Sequence, residues 1–147
     1  MQYFFTFADN RLIPDINDKC NNMKKTILAI DDELSIRMLL ENFLSQTYNV
    51  VTCNDGQEGL KYLEQGDLPD LIVTDIQMPN LDGYEFVRNV RASGFFSNIP
   101  VIMLSGIESS NERVKCLKLG ADDYMVKPFN PEELVIRIDN LISRRGV

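Results

Sequence analysis

From Thr26 onward, five short apolar runs alternate with five longer segments of helical spacing. The runs are Thr26–Ile30, Asn49–Cys53, residues 71–74, residues 101–104 and Asp123–Val126. Runs this short and this apolar mark strands covered on both faces, as in a parallel sheet with helices on each side. Between the first two, Ile36, Leu39, Leu40, Phe43 and Leu44 recur at i, i+3, i+4, i+7 and i+8, one stripe along a first helix. Leu134, Ile138, Leu141 and Ile142 repeat the pattern in the last helix, which Asn130-Pro131-Glu132-Glu133 starts. A second helix opens near Asp55-Gly56 and closes at Gly66, a third follows Asp82-Gly83, and a fourth covers residues 109–119 before Gly120. Right-handed crossovers then predict an α/β fold, a doubly wound, five-stranded parallel sheet with five helices.

In such sheets the binding crevice lies outside the carboxyl ends of the strands. The residues that follow the strands are therefore the candidate site. Asp31-Asp32-Glu33 follow the first, Asp75 the third, Ser105-Gly106 the fourth and Lys127-Pro128 the fifth. Asn54-Asp55-Gly56 after the second strand has plain turn and cap chemistry. Each rim residue taken alone has an ordinary structural role, Asp31 or Asp32 as a helix cap for instance. Four strand ends delivering three acids, a hydroxyl and an ammonium to one edge point to chemistry instead.

The composition narrows that chemistry. Histidine is absent, which removes His-activated nucleophiles and His-ligated metals. Cys20, Cys53 and Cys116 form no CxxC pair, the usage of a reducing cytoplasm. The formal charge of −7 disfavours direct contact with nucleic acid, and no apolar run approaches the ~20 residues that cross a bilayer. Two carboxylates ~4 Å apart repel by about 4 kcal/mol at an effective dielectric near 20. One lysine does not offset three acids, so the cluster calls for a hard divalent cation with oxygen ligands, of which Mg2+ is the abundant one. A carboxylate nucleophile, a metal, a lysine and a hydroxyl suit phosphoryl transfer. Gly106 leaves room beside Ser105 for the phosphoryl group.

From about Lys25 to Ser143 the chain resembles the receiver domains of two-component response regulators. The resemblance rests on Ile-Leu-Ala-Ile-Asp31-Asp32-Glu33, Asp70-Leu-Ile-Val-Thr-Asp75-Ile-Gln-Met78-Pro79-Asn-Leu-Asp82-Gly83, Pro100-Val-Ile-Met-Leu-Ser105-Gly106 and Gly120-Ala121-Asp122-Asp123-Tyr124-Met-Val-Lys127-Pro128-Phe129, in that order. It implies a flavodoxin-like strand order 2-1-3-4-5 and a cis Lys127–Pro128 bond. It also implies a phosphoacceptor signalling domain rather than an enzyme, with Asp75 receiving phosphate from a histidine kinase or histidine phosphotransfer protein. Mg2+ would be held by Asp32, Asp75 and the Gln77 backbone carbonyl, with Asp31 acting through water. Lys127 would pair with a phosphoryl oxygen, and Ser105 and Tyr124 would form the switch pair. Ser105 and Gly106 stand where the family often has Thr and Ala. Gln77 and Ile107 would flank the phosphoryl group, and bulky Ile107 is expected to slow its hydrolysis.

Residues 23–147 are expected to be the receiver domain and residues 1–22 a loosely held extension without signal-peptide character. Since the sequence stops at Ser143-Arg144-Arg145-Gly146-Val147, the expectation is a stand-alone receiver, monomer or weak dimer. Its signal would leave through the fourth helix, fifth strand and last helix to an effector the sequence does not identify. Arg37 and Met38 on the first helix, extended by Phe129, are candidates for docking the phosphodonor. An aspartate-nucleophile phosphatase is disfavoured because Gln77 occupies the place of its general acid. A receiver-like module that takes no phosphate is disfavoured because no acid, acceptor or lysine is missing.

Overall fold

The computed structural model describes residues 23–145; the extension expected over residues 1–22, and with it Cys20, lies outside them. The order along the chain is β1 (Thr26–Ile30), α1 (Leu34–Leu44), β2 (Asn49–Cys53), α2 (Gly56–Glu64), β3 (Leu71–Asp75), α3 (Gly83–Ala92), β4 (Val101–Ser105), α4 (Ser110–Leu119), β5 (Asp123–Val126) and α5 (Pro131–Arg145). All four strand pairings are parallel, in the order β2-β1-β3-β4-β5. This is the doubly wound α/β sheet that the alternation predicts, in the order the resemblance implies. β3 and β4 run one residue further than the apolar runs, so Asp75 and Ser105 are themselves the last ladder residues.

The period-2 side-chain alternation of the strands divides the core into two layers. Ile27, Ala29, Leu71, Val73, Ile102 and Leu104 pack against Leu40 and Leu44 of α1 and Leu134 and Ile138 of α5. Leu28, Ile30, Ile72 and Met103 face Leu63 of α2, Phe86, Val87 and Val90 of α3, and Cys116 of α4. Full burial of one such leucine or isoleucine contributes about 1.5–3 kcal/mol, so both faces hold the sheet flat against its helices. Two details depart from the spacing. β2 is half exposed, because it is an edge strand with one neighbour. Leu39 is also exposed, since the Ile36-Leu40-Leu44 row of α1 meets the sheet and Leu39 falls at its margin.

Helix ends are fixed locally. Asp55, Asp82 and Ser109 cap α2, α3 and α4 by accepting from the amides of Glu58, Glu85 and Glu112. Gly120 closes α4 in the left-handed conformation, φ 109°. By contrast, α1 starts after Glu33 with no side-chain cap, so neither Asp31 nor Asp32 has that structural role.

Candidate functional site

The parallel ladder carries β1, β3, β4 and β5 to a common edge, and their ends meet there. Asp31 is completely buried; its Oδ1 accepts from the Glu33 amide at 2.9 Å and its Oδ2 from Lys127 Nζ at 2.6 Å. The same ammonium lies 3.3 Å from Asp75 Oδ1, which also accepts from the Ile76 amide at 2.8 Å. The Lys127 amide donates to the Ser105 carbonyl at 2.7 Å, which fixes the end of β5 against β4. The Lys127–Pro128 bond is cis, as the resemblance implies. Asp32 is exposed at the mouth. A cleft of about 330 Å³ opens over the group, lined among others by Asp32, Asp75, Gln77, Ser105, Gly106 and Lys127. A side chain added at Gly106 would meet nothing within 4 Å, which agrees with free space beside Ser105.

Electrostatics set the character of the cleft. Burial first, then the charge of Asp31, push the Asp75 carboxyl up to about 6, against the opposing pull of Lys127. Burial works against the Lys127 charge, but its hydrogen bond to Asp31 and the charges of Asp31 and Asp75 hold its pKa above the ordinary lysine value. Asp31, Asp32 and Asp75 each offer one carboxylate oxygen, and these atoms lie within 4.8 Å of one another. An all-oxygen donor set of three acids, with one ammonium among them and an open side, fits a hard divalent ion that keeps several waters. The charge of Asp31 contributes to the raised Asp75, second to burial, so the cluster still carries like-charge repulsion that a cation would offset.

The switch candidates lie one layer further along the rim. The Ser105 hydroxyl is buried and accepts from the Ile107 amide at 3.0 Å. Tyr124 is buried too, and its hydroxyl donates to the Ile107 carbonyl. Both therefore hold one peptide segment, a role for Ile107 that residue type alone does not reveal. Two neighbours make contacts that the sequence does not record. The Arg37 guanidinium donates to the Asp31 carbonyl at 2.7 Å, so it braces the β1 end instead of standing free on α1. Phe129 packs partly against the core beside α5. Met38 is exposed as the stripe predicts. Cys53 and Cys116 are free thiols that burial and nearby acids push up to about 12 and about 11, so neither is a nucleophile.

A larger groove of about 760 Å³ lies at the opposite end of the sheet, between Lys25, Asp70, Phe95 and Ile142. It brings no cluster of acids together, and the chemistry stays at the carboxyl edge. No described helix is long and apolar enough to cross a membrane.

Residues 27–139 match the family described as the response regulator receiver domain. The chain is 48% identical over 122 residues to "Probable transcriptional regulator ycf27" of Cyanophora paradoxa, covering 82% of this chain and 49% of that protein. It is 42% identical over 126 residues to "Alkaline phosphatase synthesis transcriptional regulatory protein PhoP" of Bacillus subtilis, covering 85% and 51%. The chain thus spans about half the length of the curated relatives it matches. Among solved structures, chemotaxis response regulator CheY4 of Vibrio cholerae superimposes with a TM-score of 0.75 at 34% identity, over 81% of this chain and 99% of that one. The Francisella response regulator 1452 receiver domain gives 0.77 at 34%, over 82% and 98%.

Proposed function

Because the chain belongs to the response regulator receiver family of two-component systems, we propose that Asp75 is its phosphoacceptor and that residues 23–147 form the receiver. The reading is carried by one observation, the Lys127 ammonium set between Asp31 at 2.6 Å and Asp75 at 3.3 Å on the floor of an acidic cleft. In the step, a carboxylate oxygen of Asp75 forms a bond to phosphorus. The bond from phosphorus to the donor's imidazole nitrogen breaks, and its electron pair stays on that nitrogen. Lys127 turns part of its charge from Asp75 to the incoming phosphoryl oxygens, and the Ser105 hydroxyl donates to one of them. Asp32, Asp75 and the Gln77 carbonyl would hold Mg2+, with Asp31 acting through water. When bound, the ion supplies positive charge that offsets the acids and the transferred group.

The donor in this reading is a histidine kinase or histidine phosphotransfer protein in the cytoplasm. As the Ser105 hydroxyl turns to the phosphoryl group it leaves the Ile107 amide, and the Tyr124 contact shifts with it. The change emerges on the α4–β5–α5 face, which would contact a protein effector rather than nucleic acid. A net charge of −7 supports a protein contact over nucleic acid. The domain would act as a monomer or weak dimer.

Acetyl phosphate with Mg2+, followed by intact-mass measurement, tests the reading. An adduct of about 80 Da that disappears in Asp75→Asn is the expected result. No adduct under those conditions would favour a receiver-like module that works without phosphate, and steady turnover of p-nitrophenyl phosphate would favour a phosphatase.

A further inference from the structure

The loop between β3 and α3 is exposed at Gln77, Pro79 and Asn80, yet it is tied at four points. The Gly83 amide donates to the Ile76 carbonyl at 2.7 Å, and the Leu81 amide to the Pro79 carbonyl at 2.7 Å. The second bond closes a three-residue turn with Asn80 at φ 65°, the single non-glycine residue at positive φ among the described residues. From outside the loop, the Gly56 amide of α2 donates to the Leu81 carbonyl at 3.2 Å. The Asn80 side chain donates from Nδ2 to Asp55 Oδ2 at 2.7 Å. Asp55 has its other oxygen on the Glu58 amide at 2.8 Å, so one carboxylate caps α2 and grips the loop together.

The Ile76, Pro79 and Leu81 carbonyls are engaged, whereas those of Gln77, Met78 and Asn80 accept no hydrogen bond among the described residues. Of these three residues, Gln77 lines the acidic cleft. A positive-φ asparagine carries a strain cost that an exposed turn avoids with glycine, so its side-chain bond has to be worth keeping. We infer that Asn80 and Asp55 are positioning residues, which brace the β3–α3 loop against the start of α2 so that the Gln77 carbonyl stays aimed at the metal. This rests on the proposal above that the Gln77 carbonyl is a Mg2+ ligand. The pair lies outside the cleft and touches neither the metal nor the phosphoryl group in that arrangement. Its effect passes through the rigidity of residues 76–81, in the way groups behind a ligand orient it.

The test measures Mg2+ binding to the unphosphorylated full chain by calorimetry, with the metal alone as probe. Asn80→Gly keeps the positive φ and removes the grip, and Asp55→Ser keeps a cap for α2 and removes the second acceptor. Each is expected to weaken Mg2+ binding about 10-fold, the usual cost of losing a group that orients a ligand. The double variant should be no weaker than the worse single one. The exchange Asp55→Asn with Asn80→Asp rebuilds the bond with donor and acceptor reversed and should restore affinity, which a general loss of folding would not allow. Unchanged binding in either single variant, losses that multiply in the double, or no restoration by the exchange would overturn the inference. Wild-type protein that binds no Mg2+ removes the metal proposal as well; wild-type binding that these variants share removes the inference alone.

Discussion

The Tyr124 hydroxyl donates its hydrogen bond to the carbonyl of Ile107, 17 residues earlier in the chain. The Ile107 amide is meanwhile held by Ser105 Oγ at 3.0 Å, so a single residue joins both switch candidates. In the proposed switch, phosphorylation that turns the Ser105 hydroxyl toward the phosphoryl group releases this amide. Faster hydrogen exchange at Ile107 on adding Mg2+ and beryllofluoride is the expected outcome, measured by NMR. Ser105→Ala should show the faster exchange already without additive, at a cost near 1 kcal/mol in urea unfolding. An Ile107 amide indifferent to both treatments would separate it from the switch.

Ile107 is 43% exposed and follows Gly106, which lines the cleft. In the proposed reading its side chain flanks the acyl phosphate and hinders the approach of water. Ile107→Ala is expected to shorten the phosphate lifetime several-fold, followed by loss of the mass adduct with time. An equal or longer lifetime would count against that role.

Metal-free stability should depend on pH through Asp75. Its carboxyl is raised from 3.8 to about 6, so between those values the folded chain keeps a proton the unfolded chain has released. Stability therefore falls as pH rises through that window and stays lower above it. Asp75→Asn should be more stable than wild type at pH 7 without metal, by roughly 1–2 kcal/mol after allowance for Lys127. The two proteins should converge below pH 4. Millimolar Mg2+ should narrow the gap at pH 7, since the ion stabilises the ionised site of the wild type. Urea titrations at pH 4 and pH 7 check all three expectations.

Much of this site is legible in the sequence because strand ends are punctuated by chemistry. Apolar runs stop at Asp31, Asp75, Ser105 and Lys127, and the parallel topology brings those stops together. Pairing within the rim is not legible in that way. That Lys127 lies closer to Asp31 than to Asp75 depends on a contact 96 residues apart. Arg37 looks like a free surface arginine on α1, but its reach to the Asp31 carbonyl is decided by how α1 leaves β1 without a cap. Asn80 and Asp55 read as turn and cap residues, which they are; their mutual bond arises only when α2 and α3 pack side by side. Half-exposed β2 carries the same apolar signature as the central strands, because a run of valines does not record whether a second neighbour exists.

Lys127 should matter to folding as well as to chemistry. Lys127→Ala leaves Asp31 fully buried without its cation, a change that typically costs about 3 kcal/mol or more. Lys127→Ala combined with Asp31→Ala should recover part of that loss, because the fully buried Asp31 charge is gone and only Asp75 is left without its cation. A Lys127→Ala protein as stable as wild type in urea would mean that water already reaches Asp31.

Treatment with acetyl phosphate and Mg2+, then reduction by borohydride, addresses the phosphoacceptor assignment most directly. The reagent converts an aspartyl phosphate to homoserine, and peptide sequencing by mass spectrometry locates it. Homoserine at position 75, with Asp31 and Asp32 intact, is the expected result. Conversion at Asp31 or Asp32 instead, or at no residue, would contradict it.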